Sequence, residues 1–184
     1  MVQNKGDLDE ELTRRIQSGW NSWRKCSGVL CDRRMPVKLK SKIQRQVVRP
    51  AMLYSSETWA TKKIDEERTD VNEMRMLRWQ CGLTRKDRVR NEYVRGTLKI
   101  APISNKIKES RLRWYGHIKR REAEHPIRKV MDMDIPGRRR PGRPRLRWID
   151  CVKRDMNGLG LSEDDTLDRR KWREVLRNHY SDPK

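Results

Sequence analysis

An all-α fold is predicted for this 184-residue chain by three features of its sequence. Apolar residues recur at three- and four-residue intervals over most of its length. No stretch alternates apolar and polar residues as a half-buried strand would. Proline and glycine stand between the periodic stretches, where helices start and stop. Composition adds a constraint on the core. The hydrophobic fraction is 34% and the charged fraction 39%, phenylalanine is absent, and seven tryptophans supply most of the aromatic area. Ordinary globular chains are roughly 45–50% apolar and about 25% charged, so several small helical cores are expected rather than one deep one.

Asp7, with Glu10 three residues on, reads as the start of the first helix. Leu8, Leu12, Ile16, Trp20 and Trp23 then share one face. Pro36 opens a second helix with the stripe Leu39, Ile43 and Val47, which Pro50 is expected to kink or end. The apolar segment Ala51 to Trp59 is expected to pack back on these two helices. A third helix begins at Ile64, buries Val71, Met74, Leu77 and Cys81, and stops at Gly82. Asp87 to Arg95 reads as a short fourth helix. Pro102 precedes a fifth, capped by Ser104, with Ile107, Trp114 and Ile118 inward and Arg113, His117, Arg120 and Arg121 outward. Pro126, Pro136, Pro141 and Pro144 mark residues 122–147 as irregular and mobile. Two short helices close the chain, near Arg147–Met156 and Leu167–His179, the latter grouping Trp172, Val175, Leu176 and His179. The divisions read this way are 1–60, 61–121, an irregular basic tract 122–147, and 148–184.

Charge is the strongest functional signal. The net charge is +20, and residues 106–147, with 15 basic and 5 acidic groups, hold half of that excess. Such concentration favours a polyanionic partner over general solubility. Within it lies Arg138-Arg139-Arg140-Pro141-Gly142-Arg143-Pro144-Arg145-Leu146-Arg147-Trp148. The prolines keep this run extended, and Gly142 lets the backbone approach a surface closely. An extended Gly-Arg-Pro core flanked by arginines suits the narrow, negative minor groove of A·T-rich duplex, and in this respect the run resembles an AT-hook. A basic linker or a nuclear-import tract is the alternative. Trp148 either stacks on a base or sugar or anchors the tract to the last helices; the other tryptophans read as core.

Catalysis and metal binding find no support in the sequence. Cys26, Cys31, Cys81 and Cys151 lack the paired two-to-four-residue spacing of a structural zinc site. Glu163-Asp164-Asp165 precedes a helix, where the dipole favours acidic residues, and reads as capping rather than as a metal-binding carboxylate set. Neither a Gly-x-x-x-x-Gly-Lys loop nor a Gly-x-Ser-x-Gly elbow occurs, and no cofactor is expected. The polar first residues lack a signal-peptide core, and no 18-residue apolar run indicates a membrane span, so a nuclear or cytoplasmic setting is expected.

Four patterns occur in order. They are Arg49-Pro50-Ala51-Met52-Leu53-Tyr54-Ser55-Ser56-Glu57-Thr58-Trp59, Asp87-Arg88-Val89-Arg90-Asn91-Glu92, Arg111-Leu112-Arg113-Trp114-Tyr115-Gly116-His117-Ile118-Lys119-Arg120-Arg121, and Gly137 through Trp148. Together they resemble the region downstream of the palm in the endonuclease–reverse transcriptases of non-LTR (LINE-type) retrotransposons, over about residues 8–178. The resemblance implies a thumb-like beginning and a C-terminal part that engages template RNA or target DNA. The catalytic palm, with its aromatic-Ala-Asp-Asp turn, and the endonuclease are missing. Where many relatives carry Tyr-Gly-x-Glu-Thr-Trp, this chain has Ser55 in place of the glycine. The expected function is therefore a non-enzymatic nucleic-acid-binding module. Arg111, Arg113, Lys119, Arg120 and Arg121 contact phosphates from a helix, and Arg138, Arg139, Arg140, Gly142, Arg143, Arg145, Arg147 and Trp148 follow a groove or single strand. DNA or RNA is the expected partner, with a retroelement reverse transcriptase or its RNA as a further one. The alternatives are the tail of a reverse transcriptase active only beside a palm from another chain, and an inert truncated product.

Overall fold

The computed structural model describes residues 8–133 and 146–183, and among them every regular element is helical. In chain order, apart from short 3-10 turns at Ser56–Thr58, Arg85–Asp87 and Asp164–Thr166, these are α1 (Asp9–Lys25), α2 (Ser27–Leu30), α3 (Val37–Ile43), a π-helical turn (Gln44–Val48), α4 (Arg49–Leu53), α5 (Lys63–Gln80), α6 (Asn91–Leu98), α7 (Ile103–Lys119), α8 (Pro126–Asp132), α9 (Trp148–Asn157) and α10 (Arg169–Tyr180). Asp9, Glu10 and Glu11 occupy the first turn of α1, and Arg24 and Lys25 the last, which complements its dipole. Its N-cap position is Leu8; the expected cap, Asp7, lies outside the described residues.

Three apolar clusters form the interior. The first joins Leu12, Ile16 and Trp23 of α1 to Val48, Met52, Trp59, Met76 and Ile103. A second holds Met74 and Leu77 of α5 against Val94, Leu98 and Ile100. In the third, Leu112 and Tyr115 of α7 pack on Val152 and Met156 of α9 and on Trp172, Leu176 and Tyr180 of α10. Helix α5 links the first two clusters and α7 the first and third. The first cluster draws on both sides of residue 60.

Several expected helix faces are corrected. Leu39 and Val47 are 39% and 43% exposed, while Lys40, Ser41, Gln44 and Val48 are buried. The reason is the need of buried helix ends for hydrogen-bond donors. Lys40 Nζ donates to the Gln80 carbonyl at the end of α5 (2.9 Å), and Ser41 Oγ donates to the Leu98 carbonyl at the end of α6 (2.6 Å). Those carbonyls have no partner within their own helices, so polar side chains turn inward to meet them. Pro50 does not end the helical path. It stands in the first turn of α4, directly after the π turn. That wider turn accommodates a residue with no N–H to give and a ring that would strike the carbonyl four residues back. Val71 of α5 is exposed, contrary to expectation.

Gly82 does stop α5. At φ +68° it lets the Leu83 amide reach the Arg78 carbonyl (2.9 Å) and its own amide reach the Trp79 carbonyl (3.0 Å), a Schellman closure. The fourth helix is displaced from Asp87–Arg95 to Asn91–Leu98. Asp87 instead closes a 3-10 turn by accepting from the Thr84 amide (2.5 Å) and hydroxyl (2.7 Å), and Arg88 follows at φ +50°. Ser104 caps nothing; its hydroxyl donates to Asp70 (2.6 Å). Trp114 is half-buried and His179 is exposed, outside the α10 core. Residues 122–147, expected to be irregular, contain α8, which Pro126 begins as a first-turn proline. Arg128 of α8 donates to the Lys119 (3.0 Å) and Arg121 (2.8 Å) carbonyls at the end of α7.

Candidate nucleic-acid interface

Helix α7 presents different chemistry on each face. On the inner face, Arg111 is completely buried. Its guanidinium pairs with Asp155 of α9 and donates to the Thr61 hydroxyl (2.5 Å). Burial nonetheless outweighs Arg111 and pushes the Asp155 carboxyl up from its ordinary value. Around them, Arg154 pairs with Glu66 (2.8 Å), and Lys108 with the same carboxylate (3.4 Å). The expectation that Arg111 faces phosphates is therefore corrected: it ties α7 to α9. Arg49 of the first sequence pattern is likewise internal. It makes paired bonds to Glu73 (2.7 and 3.3 Å) and one to Asp182 (3.1 Å), while Arg95 reaches Glu73 from α6 (2.9 Å).

On the outer face, Arg113, His117, Arg120 and Arg121 fall in one row by helical spacing. Helix α10 crosses beside them and adds Arg169 and Arg173. These six side chains, with Trp172 behind them, line a cleft of about 560 Å³ that has no carboxylate among its described lining residues. The close crossing rests on Gly116. A Cβ there would stand 2.6 Å from Trp172 Nε1 and 2.9 Å from the Arg120 guanidinium. Trp172 Nε1 donates to the Leu112 carbonyl (3.1 Å), which locks the two helices together.

Like charge is concentrated in this cleft. Burial lowers the Arg120 pKa from its ordinary value, and Arg169 and Arg173 press it the same way. The His117 imidazole is also lowered, by partial burial and then by Arg121, Arg120 and Arg169. Its ring stacks on Trp114, with centroids 5.4 Å apart and planes at 15°. Arg120 donates to the Thr166 carbonyl (2.7 Å) and Arg121 contacts His117 Nε2 (3.2 Å). Among the described residues, Arg113 alone of the five arginines has a carboxylate partner, Glu109 (2.5 Å).

The remaining expected residues lie elsewhere. Lys119 points away from the cleft toward Glu163 (3.4 Å) and lies over the Tyr115 ring. Arg147 is exposed at the start of α9 and pairs with Asp150 (3.1 Å). Trp148 is half-buried, with Nε1 donating to the Glu57 carbonyl (2.8 Å) and its ring beside Tyr115, so its polar edge is anchored to the fold. Arg138, Arg139, Arg140, Gly142, Arg143 and Arg145 lie outside the described residues.

The acidic run is used locally. Asp165 accepts from the Ser162 amide and hydroxyl (both 2.8 Å) and pairs with Lys171 (2.7 Å), which hold its carboxyl well below the ordinary value. Asp168, three residues later, caps α10. Among the described residues, no group of three or more His, Cys, Asp or Glu is placed to hold a metal ion, and no helix is long and apolar enough to cross a membrane.

Arg169 and Arg173 were not legible as site residues. Residues 169–177 carry five basic groups and one acidic, but residues 163–168 carry four acidic ones and cancel them in any segment average. A finer charge window would have found them.

Along 97% of its length, the chain is similar to an uncharacterized transposon-derived protein of Caenorhabditis elegans, with 27% identity over 194 residues and 68% of that protein covered. No family model matches the chain, and no solved structure matches it.

Proposed function

We propose that this chain is a non-catalytic nucleic-acid-binding module of retroelement origin, which holds phosphates in the cleft between α7 and α10. The observation that carries this reading is the cleft lining: Arg113, Arg120, Arg121, Arg169 and Arg173 crowd together, and of these Arg113 alone has a carboxylate partner among the described residues. Folding places like charges side by side at an electrostatic cost, and phosphate oxygens are the groups that relieve it. Similarity to a transposon-derived protein agrees with this reading, since mobile elements act on nucleic acid. Phosphate contacts position the chain without reading sequence. Selectivity is assigned to the tract, where Arg143 of the Gly-Arg-Pro core enters an A·T-rich minor groove. DNA and RNA both fit the cleft, which offers charge and bidentate donors rather than a groove-specific shape.

A second reading, in which the chain works beside a reverse transcriptase palm supplied by another molecule, is favoured by one observation. The apolar side chains Leu39 and Val47 face outward next to Lys38 and Lys42, as a surface covered by a partner would.

Fluorescence anisotropy with labelled duplex DNA, single-stranded DNA and RNA of equal length tests the main reading. Arg169→Ala/Arg173→Ala is expected to weaken all three by about tenfold or more, while Arg143→Ala removes a preference for A·T-rich over G·C-rich duplex. Full affinity in the Arg169→Ala/Arg173→Ala protein would remove the cleft from the interface. Equal affinity of the unmodified protein for A·T-rich and G·C-rich duplex would leave the tract a sequence-blind basic arm.

A further inference from the structure

We infer that Trp79 on α5, with Arg75 one turn before it, forms a stacking platform for an unpaired base of a single-stranded nucleic acid. This site lies on a different helix from the arginine cleft and rests on the nucleic-acid reading of that cleft.

Trp79 is 56% exposed, whereas Trp23, Trp59 and Trp172 are 4% exposed or less. An exposed tryptophan on a helix would ordinarily be a free rotor, but this one is held. Its ring meets Trp20 at 5.6 Å and Trp23 at 5.5 Å, both at 62°, and those two rings meet each other at 5.8 Å. Trp20 is fixed in turn by a bond from Nε1 to Asn72 of α5 (3.3 Å). Three indoles in mutual edge contact thus present one of their number to solvent in a set orientation. Little rotamer freedom is then lost when a flat ligand settles on it.

The surroundings specify the ligand. Arg75 lies four residues earlier on the same face, is exposed, and has no ion pair among the described residues. It also lines a second cleft, of about 790 Å³, between α5 and α6, whose wall holds Arg85, Arg78 and Arg95 together with Asp70 and Glu92. There Arg78 donates to the Val89 carbonyl and to Asn91, and Arg95 pairs with Asp70 and Glu73. A ring beside Arg75, on a cleft that Arg85 also lines, matches a base and a following phosphate. Base stacking on aromatic side chains with a charged track for the backbone is the general mode of single-strand binding. A duplex keeps its bases stacked on one another and cannot use such a platform. Tryptophan is also common at protein interfaces, but a chain of net charge +20 with arginine beside the indole favours the polyanion.

Two substitutions test this, in the full chain, with a labelled oligothymidylate and a duplex of the same length. Trp79→Leu keeps an apolar contact to Trp20 and Trp23 without a π face, and Trp79→Tyr keeps the π face. Trp79→Leu is expected to weaken single-strand binding by about 5- to 100-fold, Trp79→Tyr by much less, and neither to change duplex affinity by more than about twofold. Arg75→Ala, on an exposed position that leaves the tryptophans in place, is expected to reduce the single-strand salt slope by about one. Single-strand affinity unchanged in Trp79→Leu, in an unmodified protein that binds both ligands, would overturn the platform and leave the cleft reading intact. Loss of self-association with oligonucleotide binding retained would overturn it in favour of a protein interface. Absence of binding to either ligand by the unmodified protein would overturn both readings together.

Discussion

Arg111 and Arg113 stand two positions apart in one motif and do opposite work. Arg111 is sealed against Asp155 with its guanidinium also serving Thr61, whereas Arg113 lies in the outer cleft. Removing Arg111 would strand a buried carboxylate, which typically costs about 3–5 kcal/mol. Arg111→Ala is therefore expected to lose stability on that scale in urea unfolding, and Arg113→Ala to lose no more than about 1 kcal/mol, since Lys106 still pairs with Glu109 (2.9 Å), while losing nucleic-acid affinity. Equal stability of the two variants would contradict the assignment of Arg111 to the core. Ser55 makes a second residue-scale case. It sits at φ +61°, the left-handed region that favours glycine, at the point where the resembling sequences carry one. Left-handed geometry costs a side-chain-bearing residue about 1–2 kcal/mol, and glycine returns part of that gain through its freer unfolded chain. Ser55→Gly should thus raise stability by about 0.5 kcal/mol, read as a small increase in melting temperature. A decrease would mean that the Ser55 side chain contributes more than its backbone strain costs.

At the scale of elements, the α7–α10 crossing governs the cleft, and Gly116 governs the crossing. Gly116→Ala drives a methyl group into Trp172 and Arg120, so overpacking of about 1–3 kcal/mol and weaker oligonucleotide binding are expected together. Gly96 of α6 is the control, because a Cβ there meets nothing within 4 Å. Gly96→Ala should be neutral or stabilising by up to about 1 kcal/mol, with duplex binding unaltered. Matching losses in the two variants would detach the cleft from the crossing. The helices themselves were largely legible from spacing, proline and glycine: α1, α5, α7, α9 and α10 fall close to their expected positions. Periodicity failed where buried carbonyls set the register. Leu39, Ile43 and Val47 form a sound apolar stripe, yet Lys40 and Ser41 turn inward because the ends of α5 and α6 need donors. Such a demand arises from the tertiary arrangement and leaves no trace in the local sequence of α3. The displaced α6 has a local cause instead, since Asp87 serves a turn closure with Thr84 before the helix begins.

Across the whole molecule, the excess positive charge and the small separate cores are two sides of one composition. Few apolar residues divide into three clusters, and the arginines take three kinds of place. Arg49 and Arg111 are consumed inside, pairing with Glu73 and Asp155. Others, such as Arg128, close helix ends. Four with no carboxylate partner among the described residues, Arg120, Arg121, Arg169 and Arg173, gather where α7 meets α10. Segment counts read the basic character of residues 106–147 but not this sorting, which depends on which helices cross. Salt dependence of binding tests the account most directly, because counterion release counts the phosphates neutralised. With about six phosphates engaged on duplex DNA, the slope of log K against log salt is expected to be about −5 for the unmodified protein, and shallower by about two in Arg169→Ala/Arg173→Ala. A slope near zero, or one that these two substitutions leave unchanged, would contradict the phosphate-holding cleft.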